Sequence, residues 1–158
     1  MDTREKIISR AGLHEVLEEH RRAGHRIVFA HGAFGLLHAG QVRFLASARA
    51  EGDVLVAAIH SDASLQKIDR EHRPMLTERA RAVLVAALAA VDYVILADES
   101  DVKPLLREFR PDVYACCGES NATDDEPRAL GIRVAFIENG YPRSTGDIIA
   151  RVRQGANG

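Results

Sequence analysis

The chain has 158 residues, of which 46% are hydrophobic and 28% charged, and its formal net charge is −2. These values are typical of a globular domain with a buried core, and the mixed charges exclude the basic stripe that nucleic acid binding requires. The longest apolar-rich run, residues 80–96, is interrupted by Arg81 and Asp92, so we expect no membrane span.

Helical and strand patterns alternate along the whole chain. Helices are predicted over residues 9–23, 39–51, 61–67, 77–90, 100–109, 125–130 and 144–154. The predicted strands are residues 27–30, 54–59, 93–96, 112–117 and 133–137. The strands are continuous apolar runs without hairpin signals, as in sheets buried on both faces. We predict one α/β domain over residues 1–158, with a parallel sheet of about five strands and helices on both faces.

Several helix starts have a residue suited to capping. Ser9, Thr77 and Ser100 stand where an N-cap is expected. The helix predicted after Thr77 carries apolar residues around most of its circumference, so we expect it to be buried or to lie at a subunit contact. A homodimer through this helix is permitted by the pattern.

Five loops are predicted to line a ligand site, because ligands of parallel α/β sheets bind beyond the carboxyl ends of the strands. These loops are residues 30–41, 60–62, 97–101, 116–121 and 138–145. The first of them carries the glycine and histidine pattern that an anion site favours.

The loop after the first strand contains His31, Gly32, Gly35, His38 and Gly40. Glycines let the backbone approach a phosphate, and the free N–H groups of a first helical turn point at it. We predict His38 to donate to that phosphate; the alternative is a histidine that caps or packs locally. His31 follows the strand and could face the same pocket. No third ligand stands at metal-binding spacing, so we predict no metal site there.

A second candidate anion site precedes the last predicted helix. Ser144 and Asp147 have the spacing of a capping box, so their local role is to begin the helix. Arg143 and the hydroxyls of Ser144 and Thr145 also suit a phosphate at the helix N-terminus. Arg73, in a polar loop, could fold over a bound anion.

The two cysteines, Cys116 and Cys117, are adjacent and make a poor structural disulfide. The N-terminus also lacks the apolar segment of a signal peptide. We therefore expect a reduced, cytoplasmic chain in which both thiols are small core residues rather than catalytic groups.

A set of motifs spans nearly the whole chain. It comprises R-I-V-F and G-x-F-x-L-L-H-A-G at 26–40, S-D-A-S at 61–64, Arg73-Pro74, A-A-L-x-x-V-D-Y-V at 86–94, R-P-D-V at 110–113 and S-T-x-D-I-I at 144–149. Through these motifs the sequence resembles the cytidylyltransferase-like nucleotidyltransferases. Within them it is most similar to the heptose-1-phosphate adenylyltransferase domain of ADP-heptose synthesis.

The resemblance implies a Rossmann-like domain that binds ATP or CTP with Mg²⁺. Such a domain transfers the nucleotidyl group to a sugar phosphate, such as heptose 1-phosphate, and releases pyrophosphate without a covalent intermediate. It implies that the H-x-G-H motif, here residues 38–41, contacts the phosphates. Our candidate catalytic residues are therefore His38, Gln41 and His31. Our candidates for nucleotide or phosphate binding are Gly32, Phe34, Gly40, Arg73, Arg143, Ser144 and Thr145.

The chain departs from the family pattern at several site positions. Gln41 replaces the second histidine, Gly35 an aspartate, His31 an asparagine and Cys116 a lysine. A charge-assisted hydrogen bond contributes about 1.5–3 kcal/mol and a neutral one about 1 kcal/mol. The departures therefore predict reduced or altered transfer, with His31 as a candidate replacement imidazole. The alternative is a non-catalytic relative that binds a nucleotide, a sugar phosphate or a partner.

Overall fold

The computed structural model describes residues 2–68, 75–117, 125–138 and 145–155. The strands are β1 (Ile27–Gly32), β2 (Val54–His60), β3 (Tyr93–Ala97), β4 (Val113–Cys117) and β5 (Arg133–Ile137). The helices are α1 (Arg10–Arg22), α2 (Ala39–Arg49), α3 (Asp62–Ile68), α4 (Glu78–Ala86), α5 (Lys103–Phe109), α6 (Asp125–Ala129) and α7 (Thr145–Gly155). No helix in this described part is long and apolar enough to cross a membrane.

The five strands form one parallel sheet in the order β3-β2-β1-β4-β5. The chain therefore builds outward from β1 through β2 to β3, and then crosses to the other side of β1 with β4. This reversal creates a switch point between the carboxyl ends of β1 and β4, where α/β sheets bind ligands. The prediction of a five-stranded parallel sheet is confirmed.

The sheet has a hydrophobic core on each face. On one face, β1 residues Val28 and Ala30 pack with Phe44 of α2 and Val85 of α4. On the other face, alternate strand residues pack with α1 and α5; the cluster there includes Phe29, Leu13, Leu17, Leu105 and Phe109. Each fully buried side chain of this size contributes about 1.5–3 kcal/mol. The prediction of helices on both faces is confirmed, and the two cores hold the strand ends in place.

Two of the three predicted N-caps are confirmed. The Ser9 hydroxyl accepts from the Gly12 N–H at 3.1 Å, and the Thr77 hydroxyl accepts from the Ala80 N–H at 3.4 Å. The prediction for Ser100 was wrong, because α5 begins later, at Lys103. Pro104 lies in the first turn of α5, where its missing N–H is not needed, and this favours the later start.

Helix α4 is shorter than predicted. It carries apolar residues on its exposed side as well as on its buried side. Ala82, Val85 and Ala86 are buried, whereas Val83 and Leu84 are 48% and 40% exposed. The helix is therefore only partly buried, and the homodimer through it stays a prediction.

Candidate functional site

His38 is the N-cap of α2, at the end of the loop that follows β1. Its backbone is extended (φ −136°, ψ 169°), and its Nδ1 accepts a hydrogen bond from the Gly40 N–H at 3.1 Å. Since Nδ1 uses its lone pair in this bond, the proton of the neutral ring lies on Nε2. One imidazole therefore both caps the helix and carries an N–H that a phosphate oxygen can accept. The two interpretations from sequence, local cap and phosphate donor, are compatible.

The turn before His38 is shaped by a strained, buried aromatic residue. Phe34 has a positive φ of 47° and is only 5% exposed. A Cβ on Gly32 would lie 3.3 Å from the Phe34 ring, so glycine leaves room for it. Left-handed backbone in a non-glycine residue costs about 1–3 kcal/mol and persists only where packing enforces it. Phe34 thus fixes the loop from within the core, and its predicted contact with a nucleotide stays a prediction.

Arg81 is a buried cation that holds this turn, and sequence reasoning missed it. Its guanidinium has no exposed surface and donates to Ala33 O at 2.5 Å, Asp62 Oδ1 at 2.7 Å and Leu76 O at 3.2 Å. Helix arginines are usually solvated, so nothing in the pattern distinguished it except its place inside an apolar run. Arg81 links the loop after β1 to the starts of α3 and α4.

Asp62 and Glu78 reinforce the same junction. The Asp62 N–H donates to Glu78 Oε2 at 2.8 Å, and the Glu78 N–H donates to Asp62 Oδ2 at 3.2 Å. Each carboxylate thereby satisfies a backbone donor at the first turn of the other helix. Together with Arg81 they form a clamp of three residues beside the candidate site.

His31 lies at the carboxyl end of β1 and packs against His60 at the end of β2. The ring centroids are 4.1 Å apart. Strand alternation places His31 on the same face as Phe29, toward α1 and α5, whereas the helix that His38 begins packs on the opposite face. The His31 side chain therefore points toward the α1 and α5 face, although it lies at the strand end from which the predicted phosphate loop continues.

Burial and the charge of His60 lower the pKa of His31 to about 4, although Asp101 and Glu99 act in the opposite direction. The His31 ring is therefore neutral at neutral pH and lies near two carboxylates. A neutral imidazole in such surroundings is a poor replacement for a cationic phosphate contact. The geometry therefore does not support His31 as a replacement for the histidine that is absent at position 41.

The lowered pKa of His31 predicts a pH-dependent stability. Its pKa falls from an ordinary 6.5 to about 4 in the folded chain, so between these values the unfolded chain binds more protons. Stability should therefore be complete above this window and decline as pH falls through it, by up to about 1.4 kcal/mol per pH unit. Urea denaturation across the window, for wild type and His31→Phe, measures the difference. Curves of equal slope for the two proteins would contradict the prediction.

Gln41 and Gly35 occupy two of the positions where the sequence differs from the pattern that the resemblance implies. Gln41 lies three residues after His38, one turn along α2. Its Oε1 is buried, and no partner for it exists in the described part of the chain. A Cβ built on Gly35 meets nothing within 4 Å. The Gly35 position therefore has room for an acidic side chain.

A cleft of about 480 Å³ adjoins the loop that carries His38. Leu36 lines it together with Met75 and the α7 residues Ile148, Ile149 and Val152. This volume and apolar lining are typical of small-molecule sites. Gly146, in the first turn of α7, also lines it, and the predicted phosphate contact of Thr145, the first residue of α7, stays a prediction. Arg73, Arg143 and Ser144 lie outside the described residues, so their predicted phosphate contacts stay predictions.

The cysteines differ in environment. Cys116 is buried and Cys117, the last residue of β4, is exposed; neither forms a disulfide. The prediction of a core residue is confirmed for Cys116. It was wrong for Cys117, because the side chain that follows the buried part of β4 emerges at the edge of the sheet.

The cytidylyltransferase-like family model matches residues 29–141. Among curated relatives, the bifunctional protein HldE of Syntrophotalea carbinolica is 40% identical over 151 residues, covering 93% of this chain and 31% of the relative. HldE of Helicobacter pylori is 34% identical over 157 residues, covering 98% of this chain and 33% of the relative. The chain thus spans about a third of the length of these relatives.

Solved structures agree with this result. The alignment with the lipopolysaccharide core biosynthesis protein from Thermoplasma volcanium covers 73% of this chain and 96% of that protein's chain. The sequence identity is 28% and the TM-score is 0.60. The alignment with pantoate-beta-alanine ligase from Francisella tularensis covers 88% of this chain and 68% of the ligase chain, with a TM-score of 0.64. Its 14% identity makes that likeness one of fold alone. The resemblance inferred from the motifs is confirmed: the chain belongs to the cytidylyltransferase-like family.

Proposed function

We propose that the chain is a nucleotidyltransferase that uses ATP or CTP and a sugar phosphate, with heptose 1-phosphate as the candidate acceptor. A phosphate oxygen of the acceptor attacks the α-phosphorus, the bond to the β-phosphate breaks, and pyrophosphate leaves. The observation that carries the proposal is His38, which caps α2 with Nδ1 and carries its proton on Nε2, in a loop whose Leu36 lines a cleft. Family membership and the name HldE of the relatives support this class of substrate.

This reaction requires the protein mainly to position the acceptor phosphate and the triphosphate. A phosphate monoester is largely dianionic near neutral pH, so its attacking oxygen needs no general base. The negative charge that builds on the leaving pyrophosphate needs donors, and the α2 N-terminus and the His38 N–H are suited to supply them. The apolar cleft beside Leu36 offers a surface for the nucleoside.

Mg²⁺ enters this proposal as part of the substrate. Mg²⁺ is commonly held by substrate phosphates, one or two carboxylates and water rather than by a protein cage. Within the described ranges no group of three or more metal-ligating side chains forms such a cage. The residues are therefore compatible with an ion that arrives with the triphosphate, and its charge would act together with the His38 N–H.

Gln41→His should raise pyrophosphate release about fivefold. The change replaces a neutral donor by one that can be charged, which is worth about one further kcal/mol at a phosphate. The measurement is pyrophosphate release from ATP or CTP with heptose 1-phosphate. Gln66→His, at an exposed position of α3, is the matched control and should leave the rate unchanged. Equal rates for Gln41→His and wild type would argue against a phosphate contact at residue 41.

The second candidate function is a non-catalytic nucleotide or sugar-phosphate binding protein. The observation that favours it is the buried Gln41 Oε1, which has no partner among the described residues, in a helix turn where the family pattern has histidine. Here a thermal shift with ATP or CTP and Mg²⁺ would appear, with no pyrophosphate from wild type or Gln41→His. No thermal shift with either nucleotide would remove both candidate functions.

A further inference from the structure

A polar cluster lies at the carboxyl ends of β1, β2 and β3, on the face that carries α1 and α5. It consists of His31, His60, Ser64 and Glu99. His60 Nδ1 lies 3.1 Å from Glu99 O and 2.9 Å from Ser64 Oγ, and Ser64 also donates to Glu99 O at 3.0 Å. A carbonyl can only accept, so Nδ1 carries the His60 proton and the His60 ring is held in one orientation.

The His60 ring in turn supports the His31 ring, 4.1 Å away between centroids. Positions whose orientation is locked by such a second layer of contacts are typical of binding sites. The clamp described above is made by different side chains, Arg81, Asp62 and Glu78. It adjoins the histidine cluster, since Asp62 shares α3 with Ser64. Burial and the Arg81 charge also lower the pKa of His60.

Two atoms of this cluster are buried and have no hydrogen-bond partner in the described part of the chain: His31 Nε2 and Glu99 Oε2. The other Glu99 oxygen, Oε1, is paired with Arg10 at 2.7 Å. Buried polar atoms in folded proteins almost always have partners, so each exception calls for a ligand or a water. His31 as a residue is partly exposed at the carboxyl end of β1, although its Nε2 atom is buried.

The surroundings select the chemistry of that ligand. The unpartnered Glu99 Oε2 is a carboxylate oxygen that can only accept a hydrogen bond, and a dianionic phosphate has no proton to donate to it. The His31 ring is neutral near pH 7, and its Nε2 is a donor in one tautomer and an acceptor in the other. A hydroxyl group can match either tautomer and can also donate to a carboxylate oxygen. A neutral polyol fits these requirements better than an anion.

We propose that His31 and Glu99 bind hydroxyl groups of the sugar part of the acceptor. This inference rests on the proposed function and adds the orientation of the acceptor to it. The acceptor phosphate lies toward His38 and the start of α2, and the sugar hydroxyls lie toward the His31–His60 pair. The site would then select sugar phosphates over phosphates with an apolar or unsubstituted alcohol.

The first test needs no turnover. Long-range ¹⁵N–¹H NMR of the imidazoles is recorded for the wild-type chain with a free heptose that carries no phosphate, and separately with inorganic phosphate. We expect the heptose to shift the His31 Nε2 signal and inorganic phosphate to leave it unchanged. A His31 signal that ignores the heptose, or that responds to phosphate instead, would overturn the proposal. Either result can be read even if the chain proves catalytically inactive.

The second test separates acceptor from nucleotide. His31→Phe keeps a ring against His60 but removes both nitrogens, so KM for heptose 1-phosphate should rise about tenfold for one lost hydrogen bond. KM for the nucleoside triphosphate should stay unchanged. His14→Phe, on the exposed side of α1, is the matched control and should alter neither constant. An increase confined to the triphosphate KM, or none at all in a folded His31→Phe, would contradict the proposal.

Discussion

His38→Ala is expected to lower kcat/KM for pyrophosphate release by about 10²–10³-fold. The Nε2 N–H of His38 is the donor that lies at the start of α2, and loss of one donor aimed at developing charge has an effect of this size. The same change removes the Nδ1 cap on the Gly40 N–H, which costs about 1 kcal/mol of stability. Steady-state kinetics and thermal unfolding measure the two effects separately.

His38→Asn separates the cap from the donor. Asparagine is among the best N-cap residues, so its carbonyl should restore the bond to the Gly40 N–H and with it the stability. The shorter side chain does not reach where Nε2 lies, so the low activity should persist. His14→Ala, on α1, should retain wild-type activity. If His38→Asn recovered activity and stability together, His38 would act as a cap and not as a phosphate donor.

Arg81→Met is expected to destabilise the folded chain by about 3 kcal/mol, near the lower end of what removal of one partner of a buried ion pair causes. The lower end applies because Asp62 keeps 34% of its side chain exposed and can be solvated. Ala33 O and Leu76 O also lose their donor. Urea denaturation measures the free energy of unfolding. Hydrogen exchange at Ala33 and Phe34 reports whether the turn opens first.

Two variants define what Arg81 contributes. Arg79→Met removes an exposed arginine one half-turn away on α4 and should change stability by less than about 0.5 kcal/mol. Arg81→Lys keeps the charge but loses the planar fork that serves Ala33 and Asp62 together, so an intermediate loss is expected. If Arg81→Met were as mild as Arg79→Met, the guanidinium would not hold the turn before His38.

The strands could be predicted well because each is a continuous apolar run between polar or glycine breaks. The predicted and observed bounds of β5 coincide at residues 133–137. Helix starts were less certain, because a serine is a local signal that a neighbouring residue can override. At α5, Pro104 moved the start beyond Ser100 to Lys103.

The site was predictable only where local sequence determines it. The glycines and His38 before a helix indicated an anion site, and the cap of α2 is where the pattern expected it. The face of the sheet on which the His31 side chain lies was not evident from sequence. β1 extends two residues beyond its predicted end, so strand alternation sets the direction of this side chain. The structural role of Arg81 could not be predicted from local sequence, because its partners Ala33 and Asp62 are distant along the chain.

The open space around Gly35 affects how readily a single mutation could introduce the aspartate that the family pattern has at this position. Glycine and aspartate codons differ by a single base when the glycine codon ends in a pyrimidine, and glutamine and histidine codons also differ by one. A Cβ added at Gly35 meets no atom of the described residues within 4 Å, so the first atom of a new side chain has room there. Selection for faster turnover in a mutagenised population should therefore recover changes at Gly35 and Gln41 early.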